Sequence, residues 1–402
     1  MSLGTINTDY SSFYSVLKGN YRKGVHRFRT MLGNPDLAED FANNLGSVSV
    51  VLGWPIGHDD KNSQELLKLL LESEVITQAT LTWLGQWYPE SNSDADTMYG
   101  DAARCQALVN DPLLWRAVGG DPVGAGKLIA TLAGLDLADY DDMAAVARDA
   151  DTMQAILATP TALNAMVSSP VAVSVVISTP AALSALAASQ AAMQAVIGNA
   201  AALQTVVASQ TAMTAVAASQ TAMAAVAASQ TAMTAVVASS TAMAAVAGSS
   251  TAMQAVIANS TALNKVVSSQ TAMAAVAASQ TAMTAVASSA TARGTITSSS
   301  TAKTALANSP LKKTVTSSNG SYGSVVSGRC FIISVKNNNS GNTSARTHYF
   351  RYVFSGTSAT TTTAEFSATY ATATAVNMFT DTNGISYYNN DAIPGLITYI
   401  QC

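Results

Sequence analysis

Apolar and polar positions between about residues 139 and 313 alternate with a period of ten. The cleanest phrase is Ser-Gln-Thr-Ala-Met-Thr-Ala-Val-Ala-Ala, from Ser209 to Ala218. One column of large apolar residues contains Met213, Met223 and Met233, and a second, three residues later, contains Val216, Val226 and Val236. A spacing of three, with Ala before each member, puts both columns on one face of a short helix. Ala and Met are also strong helix formers. These six residues are therefore the expected core of the repeat.

A third column decides how long each helix runs. It includes Ser209, Ser219 and Ser229, and elsewhere Asp149, Thr159, Asn199 and Asn259. All are residue types favoured at helix N-caps, where the side chain accepts a bond from an orphaned backbone amide. Pro160, Pro170, Pro180 and Pro310 follow directly after members of this column. That is the first helical position, which needs no amide donor. Each decad thus announces a new helix. An uninterrupted helix fails on angle as well: ten residues of about 100° fall roughly 80° short of three turns, so the stripe would drift off its partner. The pattern predicts helices of about seven or eight residues, restarted every ten and stacked into a solenoid. A parallel oligomeric bundle is the second geometry, and the capping column and prolines oppose it. A β-helix is disfavoured by the density of Ala and Met.

The flanks read differently. Residues 1–110 look globular and helical, with periodicity from Gln64 to Trp83 and a degenerate repeat signal at Asn34-Pro35. Asp111-Pro112 and Asp121-Pro122 continue that signal. After Pro310 the chain turns to Thr, Tyr, Phe, Val, Gly and Asn, which is strand and turn composition. Six strands are expected: 330–335, 348–354, 363–373, 375–379, 385–388 and 396–400. The fold class is thus a mainly α repeat, a short-helix solenoid or fibrous shaft of ten-residue period. A globular N-terminal helical domain precedes it and a small all-β sandwich-like domain follows. The boundaries fall at 1–110, 111–314 and 315–402.

Charge sharpens this division. The chain has 402 residues and a net charge of −4, but residues 1–151 hold 11 Lys and Arg against 21 Asp and Glu, while residues 293–402 hold 8 against 3. Between Thr152 and Ala292 the one charged residue is Lys265. Acid–base, metal or phosphate chemistry has nothing to work with there, and no catalytic residue, cofactor or metal is expected. Methionines at helical spacing read as core filler rather than thioether ligands. Neither end has the dense cationic cluster of a nucleic-acid binder; Arg22, Lys23, His26, Arg27 and Arg29 read as a solvated face. Cys105, Cys330 and Cys402 are far apart without metal-site spacing, and whether Cys330 pairs with Cys402 is left open. No run of eighteen apolar residues calls for a membrane span. The N-terminus lacks a leader pattern, so synthesis in a cytoplasm is expected.

The sequence Tyr387-Tyr388-Asn389-Asn390-Asp391 combines aromatic faces with amide and carboxylate groups. Such a set suits recognition of a sugar, and it equally suits a turn with core tyrosines. The Ser-x-Thr-Ala-Met-x-Ala-Val phrase, between an ordinary head and a β-rich end, resembles the decapeptide repeats of bacteriophage tail fibres and related virion appendages. That resemblance implies a structural virion protein, made in the host cytoplasm and likewise a homo-oligomer. Its N-terminal domain would grip baseplate, tail or capsid proteins. Its C-terminal tip would meet a host surface glycan or protein through Tyr387 to Asp391. The alternative within the same class is a spacer or decoration protein without receptor binding.

Overall fold

The computed structural model describes residues 29–30, 33–43, 68–86, 99–136, 139–317, 322–339, 344–354, 360–389 and 394–402. The chain divides into two compact units, Met1–Ala185 and Leu186–Cys402. Trp54, Trp87, His26, His58 and the basic residues 22–27 lie outside the described residues.

The first unit is helical wherever a cap and an apolar stripe coincide. Asn34, Asp101, Asp111, Asp121, Asp142 and Asp149 each accept a backbone amide at the start of a helix. The prolines at 35, 112 and 122 occupy the first turn. Of the helix expected over Gln64–Trp83, residues 64–67 lie outside the described residues and the rest is helical at 68–71 and in Glu74–Gln86, with Glu72 and Ser73 between them. The break falls where Ser73 accepts the amide of Ile76, as a cap does. Leu70, Ile76, Leu84, Val118, Leu128 and Ile129 are fully buried.

In the second unit the helices from Gln190–Gly198 to Ala290–Ser298 each contain nine residues, more than the expected seven or eight. The reason is that one residue does two jobs. Ser209 is both the C-cap of Ala200–Ala208 and the N-cap of Gln210–Ala218, with φ −90° and ψ 118°. A single extended residue is thus the whole corner. Gln210–Ala218 and Gln220–Ala228 meet at 100°, and Gln230–Ala238 and Ser240–Gly248 at 103°. Three such bends bring the chain back over itself: Gln210–Ala218 packs on Ser240–Gly248, that on Gln270–Ala278, and that on Ser300–Ala307. One coil is therefore three helices.

The Met and Val columns fill the coil interior. Met213, Val216, Met223, Val226, Met233 and Val236 are all buried, as are Ala212, Ala222 and Ala232, which are fully enclosed. Small residues beside the large columns let successive coils approach to contact. The position after Val is buried too at Ala217, Ala227 and Val237.

Ser309-Pro310 carries the start signal and starts no helix, contrary to the rule read from the repeat. The decad that follows has Lys313 and Thr316 where Met and Val belong, so no apolar stripe exists to dock it. The Ser309 hydroxyl still bonds back to Ala277 and accepts the amide of Leu311. The chain then enters β1 (Lys312–Ser317), followed by β2 (Gly323–Val326), β3 (Cys330–Asn337), β4 (Arg346–Phe354), β5 (Thr360–Ala368), β6 (Thr374–Thr380), β7 (Ile385–Asn389) and β8 (Gly395–Gln401). All pairs are antiparallel, in the order β1-β8-β3-β6-β4-β7-β2 with β5 on the other edge of β4, and the sheet is nearly barrel-shaped. β1 and β2 are additional to the six predicted strands, which overlap β3 to β8; the one expected over 363–373 ends at Ala368, and the strands form a single sheet rather than the expected sandwich. β4 pairs with β7 as far as Arg351 and with β6 from Val353, and the switch is made at Tyr352 with φ 58°.

The sheet is fastened to the last coil. Arg329 donates to the carbonyl of Ala287, Gln280 Nε2 donates to Gln401 O at 2.9 Å, and the Arg293 guanidinium lies 4.6 Å from the Phe354 ring centre. On two of the three corners of each coil, carbonyls such as Ala217 O and Ala247 O accept a serine hydroxyl from the coil above. Ala287 lies on the third corner, where no serine hydroxyl reaches its counterparts Ala227 and Ile257 among the described bonds, and it takes its donors from Arg293 and from Arg329 of the β sheet.

Candidate functional site

Strand alternation sorts the predicted tip residues. Tyr387 and Asn389 are fully buried, whereas Tyr388 between them is only partly covered. Asn390 and Asp391 lie outside the described residues. A receptor would therefore meet Tyr388 and not Tyr387, whose ring belongs to the core with Phe350, Ile385 and Ile397.

The buried pair builds a polar cluster beneath the surface. The Tyr387 hydroxyl is 2.7 Å from His348 Nδ1, and His348 Nε2 is 2.8 Å from Asn337 Oδ1. Asn337 Nδ2 donates to Ser344 O, so its carbonyl oxygen faces the imidazole. His348 is thereby set with its proton on Nε2 and Nδ1 accepting from the tyrosine. Burial pushes the imidazole down to about 4 and the Tyr387 phenol upward. Asn389 Nδ2 donates to Thr347 O. Gly395 lies against the cluster, where a Cβ would collide with the Tyr387 hydroxyl. The arrangement fixes β3, β4 and β7 to one another. Its groups are sealed from solvent.

The outward positions form a row. Tyr388 pairs with Tyr349 across β7 and β4, and their rings stack at 5.3 Å and 27°. Tyr349 pairs in turn with the exposed Glu365 of β5. On the other side the register Gly323↔Tyr387 brings Tyr322 beside Tyr388, with ring centres 5.1 Å apart. The exposed Arg351 covers the Tyr322 ring at 3.7 Å, a cation–π distance. Three aromatic rings flanked by a guanidinium and a carboxylate suit an apolar face with hydroxyls at its edge. Sequence reasoning found Tyr388 and missed Tyr322, Tyr349 and Glu365 as its neighbours. The alternation His348-Tyr349-Phe350-Arg351 carried the signal for Tyr349 and Arg351, but only the register shows which strands are adjacent.

Ser209, Ser219 and Ser229 accept the amides of Ala212, Ala222 and Ala232 at 3.2 Å. Lys265 Nζ donates to Thr234 Oγ1 at 2.9 Å. Cys105, Cys330 and Cys402 are free thiols, each pushed up to about 12 by burial. Among the described residues no three His, Cys, Asp or Glu converge as metal ligands, and no single helix is long and apolar enough to cross a membrane. The chain matches no protein-family model and has no significant similarity to a curated protein.

Proposed function

We propose that the chain is a structural, non-enzymatic virion protein, a tail-fibre-like appendage in which a solenoid shaft almost free of charge carries a surface-binding β domain. The row Tyr322–Tyr388–Tyr349 with Arg351 carries this reading, because aromatic residues and arginine are enriched where proteins bind. The N-terminal region is the side for other virion proteins, and the β domain is the side for a host glycan or surface protein. Its place of action is the virion, as one of several copies.

Binding of the fluorescent full chain to a panel of bacteria tests the proposal. Selective adsorption that falls at least tenfold in Tyr388→Ser and Tyr349→Ser, with unchanged circular dichroism, is the expected result. Adsorption indifferent to both substitutions removes the row from the argument, and no adsorption to any strain favours the second reading. That reading is a spacer or decoration protein whose β domain only closes the shaft. It rests on the contacts that join the β sheet to the last coil, Arg329 to the Ala287 carbonyl and Gln280 to the Gln401 carbonyl.

A further inference from the structure

Arg293 occupies the Met column. Its predecessors Met213, Met223, Met233, Met243, Met253, Met273 and Met283 are buried, and Arg293 is only 7% exposed itself. A guanidinium in that position must be compensated, since a buried charge without partners is strongly unfavourable. The compensation present is incomplete. Nη1 donates to Ala287 O at 2.6 Å and Phe354 covers one face, but Nε is buried with no hydrogen-bond partner. The half-buried Arg329 donates to the same Ala287 carbonyl, so two cations share one neutral acceptor.

Among the described residues neither guanidinium has a carboxylate partner. Of the three acids after residue 292, Glu365 is exposed beside Tyr349, Asp381 holds the turn through Asn383, and Asp391 lies outside the described residues. Burial and the neighbouring Arg329 charge both lower the Arg293 pKa, which marks the repulsion between them.

We propose that Arg293 and Arg329 form a binding site for one small oxyanion of the phosphate or sulfate class at the junction of the last coil and the β sheet. Two guanidinium forks with free donors match the several acceptor oxygens of such an ion, and charge-assisted bonds of this kind are the strong ones. Arg293 Nε is enclosed while Arg329 is only half-buried, so a small free ion suits the pair better than a carboxylate side chain of another molecule. The ion would neutralise the pair and tie the sheet to the coil. This holds whether or not the tyrosine row binds a receptor.

The test is calorimetric titration of inorganic phosphate, and separately sulfate, into the full chain at constant ionic strength set with sodium chloride, alongside melting curves. Wild type is expected to show one saturable site and a rise in Tm beyond that given by chloride. Arg329→Gln should weaken binding at least tenfold. Arg293→Met, which restores the residue of the column, should keep the fold and abolish the site. Equal responses of wild type and Arg293→Met, or no saturable binding by a wild type that melts cooperatively, would overturn the proposal.

Discussion

The hydroxyl of Ser219 donates to the carbonyl of Ala187 at 2.6 Å, across 32 residues of chain, while the same oxygen accepts the amide of Ala222 at 3.2 Å. One serine therefore ends a helix, begins the next and clamps the coil to the one before it. The clamp recurs at Ser239, Ser249, Ser269, Ser279 and Ser299. With three corners per coil, it follows two of the three edges. Along the third edge Ser229, Asn259 and Ser289 cap their helices only.

Serines on the two kinds of edge should differ in worth. Ser229→Ala removes a cap, for about 1 kcal/mol. Ser249→Ala removes a cap and leaves the Ala217 carbonyl without its donor, for about 2 kcal/mol in all. Urea unfolding of the full chain compares them, and equal losses would mean that the clamp contributes nothing.

Val236 is 1% exposed between coils. Val236→Asp places a carboxylate there without a partner, and the loss should exceed either serine change by several kcal/mol. Its helix, Gln230–Ala238, packs on Ala200–Ala208 in the coil before and Ser260–Ser268 in the coil after. Because each coil contacts only its neighbours, hydrogen exchange should show loss of protection in those two helices before the β sheet responds. Uniform loss across the second unit would contradict this one-dimensional coupling.

The β sheet should be acid-sensitive through His348. The folded imidazole is held down at about 4 against 6.5 for a free one, so the unfolded chain binds the extra proton between these values. Stability is then full above pH 6.5, falls by at most about 1.4 kcal/mol per pH unit down to about pH 4, and flattens below it. Denaturant midpoints of wild type and His348→Gln across pH 4–7 check the slope. The variant should be weaker at neutral pH and lack this part of the dependence.

The repeat was legible because its information is local. Cap, first-turn proline and apolar column all recur at the same positions, and each acts within one helix. What escaped was whatever depends on distance along the chain. Ser219 reads as a cap, but its bond to Ala187 needs the three-helix coil, which no single decad encodes. Residues 312–314 read as the end of the shaft, and no strand is expected over 312–317, because β1 takes its meaning from β8, which pairs with it from the far end of the domain. Tyr387 and Tyr388 are adjacent and chemically identical, and only the choice of inner face separates a core ring from a surface ring. Ser309-Pro310 shows the limit from the other side: a start signal without an apolar stripe behind it starts nothing.

The single-residue corner also governs how such a chain can change length. A gene built of short, near-identical units recombines readily, yet the protein does not accept all products equally. Gain or loss of one decad keeps every helix intact while rotating the remainder of the coil by one edge, so clamped and unclamped corners exchange places. Gain or loss of three decads leaves each serine above its former partner and carries the Arg329 contact along unchanged. Reach would therefore be adjusted in whole coils, and lengths between them would be filtered out by folding rather than by function.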